Sequence, residues 1–180
     1  QRQMCIRDRL YGARGLDQPG FVYDYSWVEE GLTRYMEYPV LAGLFQGFTS
    51  FISRNTYFLA ERVLPEVGWY FYVTVFFLAI IWVATARMVA ELAGNRVWDT
   101  LLVVGSPLLI MHAFTNWDIP SIFFAVAALL AARNGKFTLA GVMIGLGTAF
   151  KMWPIFALGA YLVVALRKRC LLYTSPSPRD

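Results

Sequence analysis

Twenty consecutive residues without a charge, from Val67 to Ala86, constrain this chain more than any other feature of its sequence. A helix of that length measures about 30 Å, the thickness of the hydrocarbon core of a bilayer. Two tyrosines and a tryptophan stand near its start, as is common at a membrane–water interface. The whole chain is 58% hydrophobic and only 16% charged, which excludes a disordered protein and argues against an ordinary soluble domain. The run therefore predicts a membrane-spanning helix.

Two further apolar runs predict two more spans. Thr100 to Trp117 has 18 uncharged residues between two aspartates. The next run begins at Ile119 and is shorter, although Arg133 can lengthen it by extending its charged end to the headgroups. The sequence thus predicts an all-α, polytopic membrane protein. Its three spans are expected at residues 67–86, 100–117 and 119–135.

The last apolar segment, residues 137–166, predicts a broken helix pair. As one helix it would be about 45 Å long, and Lys151 and Pro154 interrupt it. Basic residues flank it on both sides, and the positive-inside rule places both flanks in the cytoplasm. The segment must therefore enter the membrane and return. We expect two half-depth helices, at 137–150 and 155–166, a geometry tolerated where protein or a wet cavity covers it.

The same rule places residues 10–66 outside the cell, as the first extracytoplasmic loop. This region is rich in acidic residues, tyrosine and glycine, and it has one uncharged stretch from Tyr38 to Ser53. We expect that stretch to form a helix, at about 38–53, that lies in the membrane interface. Carboxylates and aromatic rings on an outward-facing loop suit a bound sugar, although such loops are commonly only solvated.

Carboxylates of this loop are the candidate catalytic residues. Glu37 stands immediately before an apolar helix, where the helix dipole favours negative charge, and Asp24 is the second candidate. Tyr38 and Arg34, close to Glu37 in sequence, are candidates for substrate binding. Pro39 suits the first turn of a helix, so the same pattern is also explained by the chemistry of a helix start alone.

Three polar residues near the predicted spans are further candidates for substrate binding. Asn116 and Asp118 lie where the second span ends and the third begins, and they suit contacts with a sugar or a lipid phosphate. Asp118 is equally suited to cap a helix, which needs no ligand. Lys151 is an intramembrane charge, and such a charge is a functional candidate by default. It can pair with the phosphate of a lipid-linked substrate, or it can reach the interface as a snorkelling lysine.

The sequence contains no cluster of potential metal ligands, no phosphate-binding loop and no nucleophile elbow. We therefore predict neither a metal site nor a cofactor. The expected partners are a substrate and the lipid bilayer, with no nucleic acid among them.

Both ends of the chain resemble translated sequencing-library adapter. MCIRD, within residues 1–9, and CLLYTS, within residues 170–180, can be encoded by strings that are reverse complements over most of their length. The alternative is a natural basic N-terminus and a natural tail rich in serine and proline. We exclude both ends from the fold prediction, together with Cys5 and Cys170, and expect the authentic piece to be a fragment. Genomic DNA that encodes the same end peptides would contradict this interpretation.

Four motifs, read in order, resemble glycosyltransferase family 87, whose members are polytopic enzymes of the GT-C superfamily. They are Leu10-Tyr11 with Arg14-Gly15-Leu16, Glu37-Tyr38-Pro39-Val40-Leu41, Asn116-Trp117-Asp118, and Gly145-Leu146-Gly147-Thr148-Ala149-Phe150-Lys151-Met152-Trp153-Pro154. The resemblance covers nearly all of residues 10–169. Other GT-C transferases share the acidic first outer loop and the later lysine–proline turn.

This resemblance implies a mannosyltransferase-like reaction at the outer face of a bacterial plasma membrane. A sugar would move from a polyprenyl-phosphate donor to a hydroxyl group of a cell-envelope glycan or glycolipid, with inversion. A loop carboxylate would take the acceptor proton, and cationic groups would stabilise the departing phosphate. Lys151 matches the family's lysine before an aromatic residue and a proline.

The resemblance also implies that the strongest candidate for the base is absent from this chain. The family has an aspartate a few residues before its Leu-Tyr pair, which falls near position 6, inside the adapter-like end. Asp8 is therefore not its equivalent, and we expect this chain by itself to be inactive.

Two other classes of protein are alternatives. A transporter or flippase fragment also has broken helices and an intramembrane lysine, although such proteins more often show inverted repeats, which this sequence lacks. A non-catalytic membrane subunit can keep the GT-C scaffold without the base. An upstream loop carboxylate and further spans in the source gene would favour the transferase.

Overall fold

The computed structural model of this chain describes residues 11–12, 15–29, 31–114 and 116–174. Most of them are helical, which confirms the mainly α-helical prediction. The helices are α1 Val40–Thr56, α2 Glu66–Ala93, α3 Val97–Val104, α4 Pro107–Ala113, α5 Asp118–Arg133, α6 Phe137–Phe150 and α7 Phe156–Thr174. The strands are β1 Ser26–Glu29 and β2 Leu32–Tyr35, and 3-10 turns occur at Tyr57–Leu59, Gly94–Arg96 and Trp153–Ile155.

The two strands form an antiparallel hairpin that corrects the all-α prediction. Ser26 lies opposite Tyr35, and Glu29 lies opposite Leu32. The strands contain valine, threonine and aromatic residues, which suit a pleated surface. Gly31 closes the turn with a φ of +80°, a conformation that glycine adopts without strain. Each strand has only four residues, too few to produce a clear alternation within an acidic loop.

The loop that precedes the hairpin packs on α1 at two glycines. Val22 lies against Gly47, and the hydroxyl of Tyr23 lies where a side chain at Gly43 would be. This hydroxyl is 2.9 Å from the carbonyl oxygen of Tyr38, at the start of α1. Because glycine has no Cβ, the loop can approach the helix backbone this closely.

Ser50 and Arg54 of α1 hold an earlier part of the same loop. Both side chains donate hydrogen bonds to the carbonyl oxygen of Leu16, with a distance of 2.8 Å from Arg54. Arg54 also donates to the carbonyl oxygen of Gln18 at 2.6 Å. A loop carbonyl that is buried needs such partners. The loop and α1 therefore form one packed unit, whose buried residues include Tyr11, Leu16, Val22 and Met36.

Four helices, α1, α2, α5 and α6, pack together at the centre of the described structure. Leu78 of α2 and Ile119 of α5 belong to its buried apolar cluster. Between α5 and α6, the hydroxyl of Ser121 donates to the carbonyl oxygen of Gly147 at 3.2 Å. An added Cβ at Gly147 would lie 3.2 Å from Phe124, so this glycine allows the two helices to approach.

α1 buries a polar face and exposes an apolar one. Its buried residues include Gln46, Thr49, Ser50 and Ser53. Its exposed residues include Val40, Leu44, Phe48 and Phe51, which form one stripe along the helix. A helix at a water-exposed surface shows the opposite arrangement. α1 covers most of the predicted helix at 38–53, and its position in the interface stays a prediction.

One helix among the described residues is long and apolar enough to cross a membrane. It comprises α2 with its continuation, Glu66–Val104, and only 17% of its most apolar stretch is buried. α4 and α5 meet the same criterion only as a pair, and they are bent by 111°. Length and composition therefore support one span, or two if the bent pair counts as one. Three separate spans stay a prediction.

The predicted second span, residues 100–117, contains a break. α3 ends at Val104, where the N–H of Gly105 closes the last turn on the carbonyl oxygen of Leu101 at 2.8 Å. α4 then begins at Pro107, a first-turn position that suits proline because its missing N–H has no role there. The absence of charges does not reveal this break. The break occurs where Gly105 and Pro107 interrupt the run.

α6 and α7 form a helix pair on either side of Lys151. α6 has the predicted bounds 137–150, whereas α7 begins one residue after the predicted 155–166 and continues to Thr174, eight residues beyond it. α6 runs antiparallel to α5, because its end lies against the start of α5 at Ser121. With 14 residues against 16, α6 is nearly as long as α5. The junction of α6 and α7 therefore lies at the level where α5 begins. The predicted half-depth position of these two helices in a membrane stays a prediction.

Candidate functional site

Lys151 and Asp118 form an ion pair where α5 begins and α6 ends. Nζ of Lys151 donates to Oδ1 of Asp118, and the two side chains are 35% and 34% exposed. Oδ2 of Asp118 accepts a hydrogen bond of 2.8 Å from Nδ2 of Asn116. Both carboxylate oxygens thus have a partner, and the ammonium group is held in place. The structure brings together three predicted substrate-binding residues, and we call them the lysine cluster.

Helix ends position the lysine cluster. Asp118 is the first residue of α5, where the helix dipole favours a carboxylate. Lys151 follows the last turn of α6 in an extended conformation, with φ −155° and ψ 141°. Its backbone N–H closes that turn on the carbonyl oxygen of Gly147 at 2.9 Å. α6 therefore ends at Lys151. Because this residue is extended and not helical, its side chain can reach Asp118 on α5.

Aromatic residues adjacent in sequence to the lysine cluster, Trp117 and Phe150, pack against α1. The ring of Phe45 on α1 lies 6.0 Å from that of Trp117 and 6.2 Å from that of Phe150, both edge-on. Phe150 also stacks on Phe124 at 5.8 Å. Edge-on and stacked contacts are favourable aromatic geometries. These ring contacts fix the residues that flank the lysine cluster against α1 and α5.

A cavity of about 120 Å³ lies next to the lysine cluster. α2 lines it with Tyr70, Phe71, Thr74 and Leu78, and the segment before α5 lines it with Phe114, Asn116 and Trp117. We call it the aromatic cavity. Because Asn116 belongs both to the cavity wall and to the lysine cluster, a molecule in the cavity that contacts Asn116 touches this cluster.

A second cavity, of about 290 Å³, lies at the start of α2. Asp17 and Glu66 line it together with Tyr11. The hydroxyl of Tyr11 donates to Oε1 of Glu66 at 3.3 Å. Burial raises the pKa of Tyr11, and the nearby charge of Glu66 raises it further. Both carboxylates belong to the acidic region that the sequence identified, but composition alone did not single them out.

The other predicted site residues lie outside the lysine cluster. Glu37 pairs with Arg34 at 3.2 Å, and its side chain is 68% exposed. Tyr38 is partly buried against the packed loop, and Asp24 is exposed. Among the residues that the structure describes, no hydrogen bond or ion pair joins Glu37 or Asp24 to Lys151. Their catalytic and substrate-binding roles stay predictions.

Sequence reasoning missed the residues that α2 contributes to the two cavities. Glu66, Tyr70 and Thr74 are spaced four residues apart and therefore lie along one face of this helix. The same spacing in the sequence was a usable signal. A threonine within an apolar run attracts no attention, because membrane-type helices commonly contain threonine.

Within the described ranges, no group of three or more histidine, cysteine, aspartate and glutamate side chains could hold a metal ion.

An apolar helical protein with an ionisable cluster near a cavity has the features of a membrane protein whose functional site includes that cluster. Residues 35–175 match the family model of glycosyltransferase family 87. This match covers most of the chain, so the protein belongs to glycosyltransferase family 87. It is a membrane-associated glycosyltransferase, with a sugar donor and an acceptor as its substrates. No curated protein and no solved structure matches the chain.

The matched range confirms the predicted family. It includes Glu37, Tyr38 and the lysine cluster, whereas Asp24 and Arg34 precede it. The Leu10-Tyr11 and Arg14-Gly15-Leu16 motifs also precede it, and Leu10 and Arg14 lie outside the described residues. At its other end the match includes residues 170–175, which the sequence assigned to adapter. The adapter interpretation stays a prediction.

Proposed function

We propose that this protein is an integral-membrane glycosyltransferase of the GT-C superfamily that uses a polyprenyl-phosphate-linked sugar. The sugar, with mannose as the first candidate, moves to a hydroxyl group of a glycan or glycolipid of the cell envelope. The proposed location is a bacterial plasma membrane, with several spans and the active face outside the cytoplasm. The observation that carries the proposal is the lysine cluster beside the aromatic cavity.

The ammonium group of Lys151 is the proposed partner of the donor phosphate. In the transfer step, the acceptor oxygen bonds to the anomeric carbon of the sugar while the bond from that carbon to the phosphate oxygen breaks. The phosphate keeps the electron pair, and negative charge grows on it. A fixed cation beside a developing charge stabilises the transition state. Asp118 and Asn116 hold the lysine in position for this role.

The acceptor hydroxyl must also lose its proton. Glu37 and Asp24 are the proposed bases, because both are exposed carboxylates of the region before α1 and can reach a soluble acceptor. Arg34 lies 3.2 Å from Glu37 and orients it. Arg34 and Tyr38 are the proposed contacts to the acceptor. An upstream aspartate of the natural gene product, where present, would compete with Glu37 for this role.

Family membership favours a transferase over the two alternatives. A transporter or flippase would also explain a lysine at a helix break, and a non-catalytic subunit would keep the same helices. Both are outcomes of the experiment that follows.

The test is a transfer assay on membranes that contain the gene product as the source genome encodes it. Radiolabelled polyprenyl-phosphate-mannose is the donor, and GDP-mannose is the comparison. We expect transfer from the lipid donor, and we expect Lys151→Ala to lower it about 100-fold or more, as for the loss of a fixed transition-state donor. The matched control is Lys136→Ala, which removes an exposed lysine at the other end of α6 and leaves transfer unchanged.

Three results would overturn the proposal. Full activity of Lys151→Ala would show that the lysine cluster does not stabilise the departing phosphate. Transfer from GDP-mannose without the lipid donor would replace the donor class. Movement of the labelled lipid across vesicles, with no transfer to an acceptor, would identify a flippase.

A further inference from the structure

We propose that the aromatic cavity binds the sugar ring of the donor and that the hydroxyl of Thr74 selects this ring by hydrogen bonding to it. This inference rests on the proposed function, which supplies the identity of the ligand.

Thr74 behaves unlike other helical threonines of the structure. Its side chain is 5% exposed, and its hydroxyl has no hydrogen-bond partner among the described residues. Four other helical threonines donate to the carbonyl oxygen four residues earlier, at 2.8 to 3.1 Å: Thr49, Thr56, Thr85 and Thr148.

The carbonyl of Tyr70 offers Thr74 the same bond, and Thr74 does not make it. Thr100 is also buried without a partner, but it is not among the residues that line the aromatic cavity. A buried hydroxyl without a partner costs stability. A ligand in the cavity that carries its own hydroxyl group removes this cost.

The rest of the cavity wall suits a single sugar ring. A sugar has apolar C–H faces and a rim of hydroxyl groups, so it needs aromatic surfaces together with a few polar contacts. Tyr70, Phe71 and Trp117 supply aromatic surface, and Asn116 supplies an amide. One water needs about 10–15 Å³ of such space, so a cavity of about 120 Å³ has room for more than one water or for a small ligand.

The aromatic cavity and the lysine cluster share one residue, Asn116. Asn116 lines the cavity and donates to Asp118, which holds Lys151. A ring in the cavity that contacts Asn116 and a phosphate that contacts Lys151 would therefore both touch the lysine cluster. In the donor, the sugar and the phosphate share one oxygen atom. The lysine cluster and the cavity together can bind both parts of this group.

The polyprenyl chain is the competing occupant, because most of the wall is apolar. Thr74 and Asn116 argue against it, since an isoprenoid chain offers them no hydrogen bond. The two occupants predict different binding behaviour. A lipid that lacks the sugar distinguishes them.

The experiment measures the binding of two lipids to the purified, full-length gene product in nanodiscs. One lipid is polyprenyl-phosphate-mannose, and the other is polyprenyl phosphate without the sugar. We expect Thr74→Val to weaken binding of the mannosylated lipid about tenfold, the effect of one lost hydrogen bond. We expect no change for polyprenyl phosphate. Thr74→Ser keeps the hydroxyl and restores binding.

Thr85→Val is the matched control. Thr85 is a buried threonine of the same helix, 2% exposed, and its hydroxyl bonds to the carbonyl oxygen of Ile81. The Thr85→Val variant should bind both lipids as tightly as the unmodified protein does. If Thr85→Val loses the mannosylated lipid to the same extent, the effect of Thr74 is structural and the inference is overturned.

The remaining outcomes separate this inference from the proposed function. Equal losses for both lipids in Thr74→Val would assign the cavity to the polyprenyl chain, and no loss for either would also overturn the inference. Lys151→Ala should weaken both lipids alike, because both carry the phosphate. If Lys151→Ala changes neither while Thr74→Val discriminates between them, the phosphate role fails and the sugar site stands.

Discussion

Two tyrosines tie the N-terminal loop to the helices through buried hydroxyls. Tyr11 donates to Glu66 at 3.3 Å, and Tyr23 lies within 3.0 Å of two carbonyl oxygens at the start of α1. Burial raises the pKa of both side chains above 10.0, and the charge of Glu66 adds to the effect at Tyr11. The neutral phenol is therefore the form that the folded loop stabilises.

The raised pKa values predict that the loop detaches at high pH. The unfolded chain loses its phenol protons near pH 10, before the folded protein does. The free energy of unfolding is therefore constant below that pH and falls as the pH rises above it. Tyr23→Phe should lower stability by about 1 kcal/mol at pH 7, through the lost hydrogen bond.

The check is thermal unfolding in detergent between pH 7 and pH 12, with tyrosinate absorbance at 295 nm as a second signal. The difference between the unmodified protein and Tyr23→Phe should shrink above pH 10, because phenylalanine cannot ionise. A difference that stays constant across this range would contradict the assignment. It would show that the Tyr23 hydroxyl has the same pKa in both states.

The chemistry of single residues could be predicted from the sequence, and their contacts could not. Lys151 stood out because a charge between apolar helices is costly. Asn116 and Asp118 stood out as polar residues between two apolar runs. The ion pair that joins Asp118 to Lys151 spans 33 residues of sequence, and it depends on how α5 and α6 pack. The sequence shows that Thr74 shares a helix face with Glu66 and Tyr70, but its missing hydrogen bond is visible only in three dimensions.

At the scale of elements, the approach of the N-terminal loop to α1 depends on glycine. Gly43→Ala places a methyl group where the Tyr23 hydroxyl lies, and Tyr23 is held there by the carbonyl oxygens at the start of α1. Alanine improves helix propensity by about 1 kcal/mol. This gain also applies to Gly141→Ala in α6, where no heavy atom would lie within 4 Å of the new Cβ.

We therefore expect Gly43→Ala to be less stable than Gly141→Ala by about 2 kcal/mol, because overpacking costs about 1–3 kcal/mol. Unfolding of both variants in the same detergent measures this difference. In a Tyr23→Ala background the clash is absent, so Gly43→Ala should be tolerated there. Equal stability of the two variants with Tyr23 present would show that the loop does not pack on Gly43.

Helices were easier to predict than the interruptions within them. The runs without charge located α2, α5 and α6, because a helix that faces lipid needs an uninterrupted apolar surface. The break between α3 and α4 was missed, since Gly105 and Pro107 carry no charge. The hairpin was missed because the acidic composition of its region dominated the interpretation. Composition predicts whether a segment faces lipid or water better than it predicts where its helices break or its strands form.

At the scale of the whole molecule, the charges divide between two ends. α2 and α5 are parallel, because Arg133 at the end of α5 donates to the carbonyl oxygens of Glu91 and Leu92 near the end of α2, at 2.8 and 3.3 Å. Both helices begin at the end that carries the aromatic cavity, the lysine cluster and Glu66. Both finish at a basic end, with Arg133 and Lys136.

This polarity predicts the orientation of the protein in the membrane. The positive-inside rule predicts that the basic end faces the cytoplasm and that the hairpin and the lysine cluster lie outside. A single cysteine at Val28, whose side chain is 74% exposed on the hairpin, should react with a membrane-impermeant maleimide in intact cells. A cysteine at Asn134, exposed after α5, should react only after permeabilisation. Cys5 and Cys170 are replaced by serine in both variants.

Orientation and donor class are linked by where each donor is found. A lipid-linked donor stays in the membrane and can present its sugar at the outer face, whereas a nucleotide sugar is soluble and its charged phosphates keep it from crossing the bilayer. Labelling of Val28→Cys from outside therefore supports a lipid-linked donor independently of any activity assay. The reverse pattern, with Asn134→Cys labelled in intact cells and Val28→Cys protected, would place Lys151 in the cytoplasm. There the lysine would face the phosphates of a nucleotide sugar, and the proposed donor would be wrong although the family would stand.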